Sequence, residues 1–152
     1  MMPNDLIVIW RTDVELKPAP IEPSWIIEGN PVATNCTLSR SVDGMASTII
    51  WQYTEGKFNW HYDIDETICI LEGSVVIESA GMPAKRYGPG DVIFFKDGAS
   101  ARWHVEGHIR KVAFCRRTQP RLVGLAVRVF AKLRSMLLPS ANRPAQSLLG
   151  AN

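Results

Sequence analysis

Acidic residues are missing from the last third of this 152-residue chain. All 15 aspartates and glutamates lie within residues 1–106, whereas residues 107–152 hold 9 of the 17 lysines and arginines and no acid. The net charge of +2 therefore hides an acidic first part and a basic tail. This asymmetry predicts that the first part repels polyanions and that the tail attracts them.

Cysteine is also scarce, and the three residues Cys36, Cys69 and Cys115 form no CxxC pair. The sequence thus indicates neither a zinc knuckle nor a disulfide framework, and it favours reduced thiols in a cytoplasmic protein. The apolar run at residues 6–10 is too short for the core of a signal peptide. A glycine-rich phosphate loop and a serine nucleophile elbow are both absent from the sequence.

Short runs of β-branched and aromatic residues follow one another, with turn residues every 8–12 positions and no helical period before residue 118. Glu55-Gly56 and Glu72-Gly73 are interpreted as turns that separate pairs of strands. The spacing predicts an all-β sandwich or barrel. We expect an extended N-terminal arm over residues 1–19, a barrel over 20–117, a helix over 118–138 and a poorly ordered tail over 139–152.

Two motifs stand out within the barrel region. The first contains Asn59, His61, Glu66 and Gly73, with an acidic turn between the imidazole and the carboxylate. The second contains Gly88-Pro89-Gly90-Asp91 and then Lys96, Gly98 and Ala101. Together they resemble the two halves of the cupin motif, and this resemblance implies a single jelly-roll antiparallel β-barrel.

The resemblance also implies a metal site. Cupins take ligands from His-x-His, from a glutamate five residues later and from a third histidine in the second motif; these positions hold Asn59, His61, Glu66 and Ala101 here. His61, Glu66 and Asn59 are thus the candidate ligands of a divalent Mn, Fe, Ni or Zn ion. Ala101 cannot bind a metal, and His104 has the wrong strand parity to replace it.

An alternative leaves His61 and Glu66 as a hydrogen-bonded pair inside the barrel, without metal. By the same alternation along the strand, Trp60 and Tyr62 are expected to pack outside the barrel. Trp103 and Ala101 share a parity that predicts that both face the interior and line a pocket.

Within the superfamily, the chain resembles the small cupins of the DUF861 (Cupin_3) type, grouped with the (S)-ureidoglycine aminohydrolase cupin domain and the ethanolamine-utilisation cupin. The residues that carry this resemblance include Trp51, Trp60, Tyr62, Phe94-Phe95, Trp103 and Arg110-Lys111. It implies either a metal-dependent enzyme acting on a small nitrogen compound or a non-catalytic barrel that binds a small polar metabolite. The arm could pair with a neighbour's sheet, so a homodimer is also expected.

Apolar residues recur at three-to-four spacing from Leu122 to Leu137, with Arg128 and Lys132 on the other side. This pattern predicts a basic amphipathic helix. It would pack on protein, or residues 120–138 would lie on an anionic membrane surface and make the protein peripheral to a membrane. Nucleic-acid binding is not indicated, because aromatic residues do not alternate with the basic ones.

Overall fold

A computed structural model describes residues 6–119 and 121–137, and the predicted disordered tail lies outside them. The chain divides into two compact units between Thr118 and Gln119. Within the described residues, the first unit is all β apart from a short 3-10 helix, Pro23–Trp25, and the second contains one α-helix. The elements are β1 Lys17–Pro18, β2 Ile26–Glu28, β3 Ala33–Arg40, β4 Ala46–His61, β5 Asp65–Ser79, β6 Met82–Tyr87, β7 Val92–Phe95, β8 Ser100–Arg116 and α1 Arg121–Leu137.

One antiparallel sheet holds all eight strands, in the order β1-β3-β4-β8-β5-β6, with β2 added to β4 and β7 added to β5. The long strand β8 lies in the middle and pairs along its length with β4 on one side and β5 on the other. The predicted fold class, a jelly-roll barrel with an extended N-terminal segment and a C-terminal amphipathic helix, is confirmed.

The predicted turns at Glu55-Gly56 and Glu72-Gly73 are wrong, because β4 and β5 run through both pairs. The strand pairing shifts register at these points instead, opposite Gly107 of β8. Gly73 and Gly107 have φ values of 77° and 83°. A glycine in this conformation makes a β-bulge, which bends a strand without reversing it.

Alternation of side chains along β8 places the core. Its odd-numbered positions are buried from Ala101 to Cys115, except at Gly107, and the residues paired with them on β4 and β5 turn inward as well. The bulges switch the inward parity of β4, so that both Tyr53 and Phe58 are buried although they are five residues apart. The three strands thereby keep one apolar face through the bend.

The segment at residues 6–10 contains exposed apolar side chains and forms no strand within the chain. Its apolar residues are of strand type, but β-propensity does not form a strand that finds no partner edge. The homodimer expected from this arm stays a prediction.

Replacing Gly73 by alanine should destabilise the barrel strongly. The added Cβ would lie 1.8 Å from the carbonyl oxygen of His108, on a backbone that L-residues avoid. We expect a loss of about 3 kcal/mol or more in the free energy of unfolding, measured by urea denaturation.

Gly81→Ala is the matched control, because Gly81 has nearly the same φ, 76°, but no atom within 4 Å of an added Cβ. It should cost only about 1 kcal/mol, the strain of the backbone alone. Equal losses in the two variants would show that the close approach at His108 is not what fixes the bulge.

Candidate functional site

One end of the barrel contains a cavity of about 380 Å³ with aromatic walls. β4 contributes four of the ten lining residues and the connection to β5, residues 62–64, contributes three. Trp25 of the short 3-10 helix, Glu66 of β5 and Cys115 of β8 complete the lining. Trp25 packs edge-on against Trp60, with ring centroids 5.3 Å apart, and Trp60 packs edge-on against Trp51 at 5.9 Å. Large aromatic surfaces around a few polar groups are typical of sites that bind small molecules.

A buried ion pair supplies the main polar groups beside this cavity. Glu66 of β5 and Lys111 of β8 are only 6% and 2% exposed, and Lys111 Nζ donates a hydrogen bond of 2.7 Å to Glu66 Oε1. Both residues lie on the inward face set by β8, among Ile68, Ile70 and Ala113. Each charge therefore depends on the other for compensation.

Aromatic rings add to the compensation of the lysine. Lys111 Nζ lies 4.9 Å from the ring centre of Trp103 and 5.7 Å from that of Tyr53. Cation–π attraction at such distances strengthens when water is excluded. The ammonium group is therefore held between a carboxylate and two ring faces inside the barrel.

The charge of Glu66 also acts on the hydroxyls and the thiol around it. Burial, and after it the Glu66 carboxylate, raises the pKa of Tyr62 and of Tyr53 well above the usual range. The same two causes raise the pKa of Cys115, which also lines the cavity, to about 11. These groups stay protonated at neutral pH, and each can donate a hydrogen bond.

His61 lies at the rim of the same cavity, but on the outward side of β4. It is exposed, its Nδ1 is 2.7 Å from the hydroxyl oxygen of Ser100, and its ring packs edge-on against Trp25. The structure thus brings His61 and Glu66 to one cavity but engages them with different partners. The expected hydrogen-bonded pair of these two residues does not form.

The other predicted site residues divide in the same way. Asn59 is on the outer face, paired with Arg102, and lines a separate surface pocket. Ala101 and Trp103 are buried inside the barrel, on the face that their parity predicted. His104 is half-buried on the outer face, also as its parity predicted.

A cupin metal ion does not fit these residues. No group of three or more His, Cys, Asp or Glu side chains within residues 6–119 and 121–137 is placed to hold one. Glu66 already faces the ammonium of Lys111, and a divalent ion at this carboxylate would meet that positive charge. Of the ligand set drawn from the motif, His61 and Glu66 reach the same cavity but bond to different partners, and Asn59 lies on the outer face.

The expectation that Trp60 and Tyr62 pack outside is wrong. Tyr62 is a core residue that stacks on Phe95 at 4.3 Å, and Trp60 packs against the core. The signal was present in the sequence, because aromatic residues at 58, 60 and 62 alternate with polar ones at 59, 61 and 63. In a half-buried strand the apolar side chains face inward. The aromatic residues of this strand therefore determine its orientation, and the His-x-His spacing at positions 59 and 61 does not.

Comparison with known proteins agrees with this architecture. Residues 40–113 match the sequence profile of a family described as the EutQ-like cupin domain. A comparison with curated proteins returns no match.

Solved structures with the same fold include a DUF861 family protein of unknown function from Pseudomonas syringae pv. tomato, at a TM-score of 0.64 and 23% identity. That alignment covers 69% of this chain but only 46% of the Pseudomonas protein. The polyketide cyclase RemF from Streptomyces resistomycificus matches with a TM-score of 0.58 and 20% identity. That alignment covers 76% of this chain and 82% of the RemF chain. The Clostridium difficile EutQ protein matches with a TM-score of 0.50 and 18% identity, over 59% of this chain and 65% of the EutQ chain. At these identities the structures establish a shared fold.

Removing one partner of the buried ion pair should be more harmful than removing both. Glu66→Leu or Lys111→Met alone leaves an uncompensated charge in the core, and each should cost about 3–5 kcal/mol in the free energy of unfolding. The double variant should recover most of that loss. Chemical denaturation of the four proteins measures the coupling.

The exposed pair Arg102–Glu78, with N and O atoms 2.9 Å apart, is the control. Alanine at either of its positions should cost less than about 1 kcal/mol. If Glu66→Leu and Lys111→Met each lowered the free energy of unfolding as little as the alanine variants of Arg102 and Glu78, water would have to reach the buried pair in solution.

Proposed function

We propose that this barrel, whose residues 40–113 match the EutQ-like cupin family, binds a small organic molecule without the help of a metal ion. The buried Glu66–Lys111 pair beside the aromatic cavity carries the proposal. An apolar pair of similar size often stabilises a core as well as a buried ion pair does, or better. Two charges placed beside an aromatic cavity are therefore better explained by ligand recognition than by stability.

The size of the cavity and its aromatic walls support the same proposal. About 380 Å³ falls within the range of sites that enclose small metabolites. A metal-dependent reaction of the ureidoglycine aminohydrolase kind would need a ligand set at Glu66, and among the described residues this carboxylate faces Lys111 instead.

A neutral fluorescent probe, N-phenyl-1-naphthylamine, tests the cavity directly. Its emission rises when it enters an apolar site, so we expect a saturable signal at one probe per chain that is unchanged after dialysis against EDTA. Ile64→Trp should weaken the binding by about tenfold or more, because Ile64 lines the cavity and a larger side chain would fill it.

Val42→Trp provides the control, since Val42 is fully exposed and does not line this cavity. Equal probe affinity in the two tryptophan variants would place the probe outside the cavity and contradict the proposal. Loss of binding after EDTA treatment would contradict it in another way, by making the site metal-dependent.

A second proposal concerns α1, taken by itself. The helix has no acidic residue, and its apolar side chains are exposed, among them Leu122, Leu125, Phe130 and Leu133. Arg128 and Lys132 lie four residues apart and so share the opposite side. A basic face opposite an apolar face complements an anionic lipid surface, on which we propose that the helix lies. No helix of the described residues is long and apolar enough to cross a membrane.

Flotation of the full chain with liposomes tests the second proposal. We expect the protein to float with vesicles of phosphatidylcholine and about 30% phosphatidylserine, and much less with phosphatidylcholine alone. Arg128→Glu with Lys132→Glu should reduce the floated fraction severalfold, whereas Lys17→Glu with Arg40→Glu, an equal charge change on the barrel, should not. Equal flotation of the two double variants would show that α1 is not the membrane contact.

A further inference from the structure

Two hydrogen-bond donors inside the barrel have no acceptor among the described residues. They are the hydroxyl of Tyr62 and the indole N–H of Trp103, on side chains that are only 4% and 1% exposed. The two groups lie close to each other, but their geometry does not make a hydrogen bond between them. Nearly all buried donors in folded proteins are paired, so a buried water or a ligand atom is the expected acceptor for both groups.

A third donor lies in the same place. The ammonium of Lys111 carries three N–H bonds, one of which points to Glu66, and it sits over the ring of Trp103. Tyr62 is near enough to Glu66 for the carboxylate charge to raise the pKa of its hydroxyl. Lys111, Trp103 and Tyr62 therefore lie close together where donors outnumber acceptors, with Tyr62 lining the cavity and the other two groups behind it.

The charges in this region limit what an incoming acceptor can be. Lys111 and Glu66 neutralise each other, so a ligand carboxylate would lie near Glu66 and a ligand cation near Lys111 without a free countercharge. A neutral oxygen avoids both penalties. Tyr62 also lines the cavity, together with Trp25, Trp51 and Trp60, whose flat rings suit a flat partner.

We infer that the barrel binds a flat, neutral molecule through a carbonyl-type oxygen that accepts hydrogen bonds from the Tyr62 hydroxyl and the Trp103 N–H, close to the ammonium of Lys111. The inference rests on the proposed binding function and adds the chemical class of the ligand. Lys111 is then a third donor close to the ligand oxygen, and Glu66 balances its charge. Ketones and amides belong to the class, and hydrocarbons of the same shape do not.

Two isosteric compounds provide the test, acetophenone and α-methylstyrene, which differ by a carbonyl oxygen in place of a CH₂ group. Each is titrated against the complex of the protein with N-phenyl-1-naphthylamine, and its displacement of the probe gives its affinity. We expect acetophenone to bind about tenfold or more tightly than α-methylstyrene, because only the ketone satisfies the buried donors. Benzoate, the anionic relative, should bind more weakly than acetophenone.

Tyr62→Phe removes one donor without breaking a hydrogen bond within the described residues. It should shrink the preference for acetophenone by about fivefold to tenfold while leaving the thermal midpoint unchanged or higher. Tyr87→Phe, a half-buried tyrosine that does not line this cavity, should change neither quantity.

The outcomes separate the two levels of the hypothesis. If the probe does not bind, the binding function fails and the inference fails with it. If the probe binds but the two isosteres displace it equally, or Tyr62→Phe keeps the full preference, the cavity binds ligands and the inference alone is overturned. Tighter binding of benzoate than of acetophenone would also overturn it, in favour of an anionic ligand.

Discussion

The strict alternation of side chains along β8 is the constraint on which the rest of this structure depends. β8 is paired on both sides, so its inward residues fix which residues of β4 and β5 face the interior. A slip of one residue would turn Trp103 and Lys111 out to solvent and remove both the core and the site. The bulges near Gly56 and Gly73 let β4 and β5 bend together with β8 near Gly107, while the alternation along β8 continues.

The fold could be predicted from the sequence because its signals are repeated along the whole chain. Strand-type runs, turn residues and two motifs all indicated a jelly-roll barrel. The sequence does not tell whether a given glycine forms a β-bulge or a reverse turn, because a glycine with positive φ fits both. The sequence around Gly73 indicates a turn, and only the strand pairing identifies it as a bulge.

The site was predictable only in part. Glu66 and Trp103 lie inside the barrel as expected, whereas His61 and Asn59 do not, because Phe58 and Trp60 of the same strand take the inward positions. The sequence does not reveal the role of Lys111, since a single lysine in an apolar strand gives no sign of its partner. Its role depends on a contact across 45 positions of sequence, which no local pattern contains.

An internal lysine gives this barrel a different electrostatic character from one built around a metal ion. A metal is acquired from solution and depends on several ligands at once, whereas the charge of Lys111 is present as soon as β5 and β8 pair. Its cost is the desolvation of two ions, which Glu66 and the rings of Trp103 and Tyr53 offset. Folding and assembly of the site are thus a single event.

Cys115 has one more consequence for the interior. With a pKa of about 11, it is in the thiolate form in only about one molecule in ten thousand at pH 7. Thiolate is the form that peroxides and alkylating agents attack, so this sulfur is a poor nucleophile although it borders the cavity. A ligand carrying an electrophilic carbon could therefore stay in this barrel without being captured covalently by the thiol.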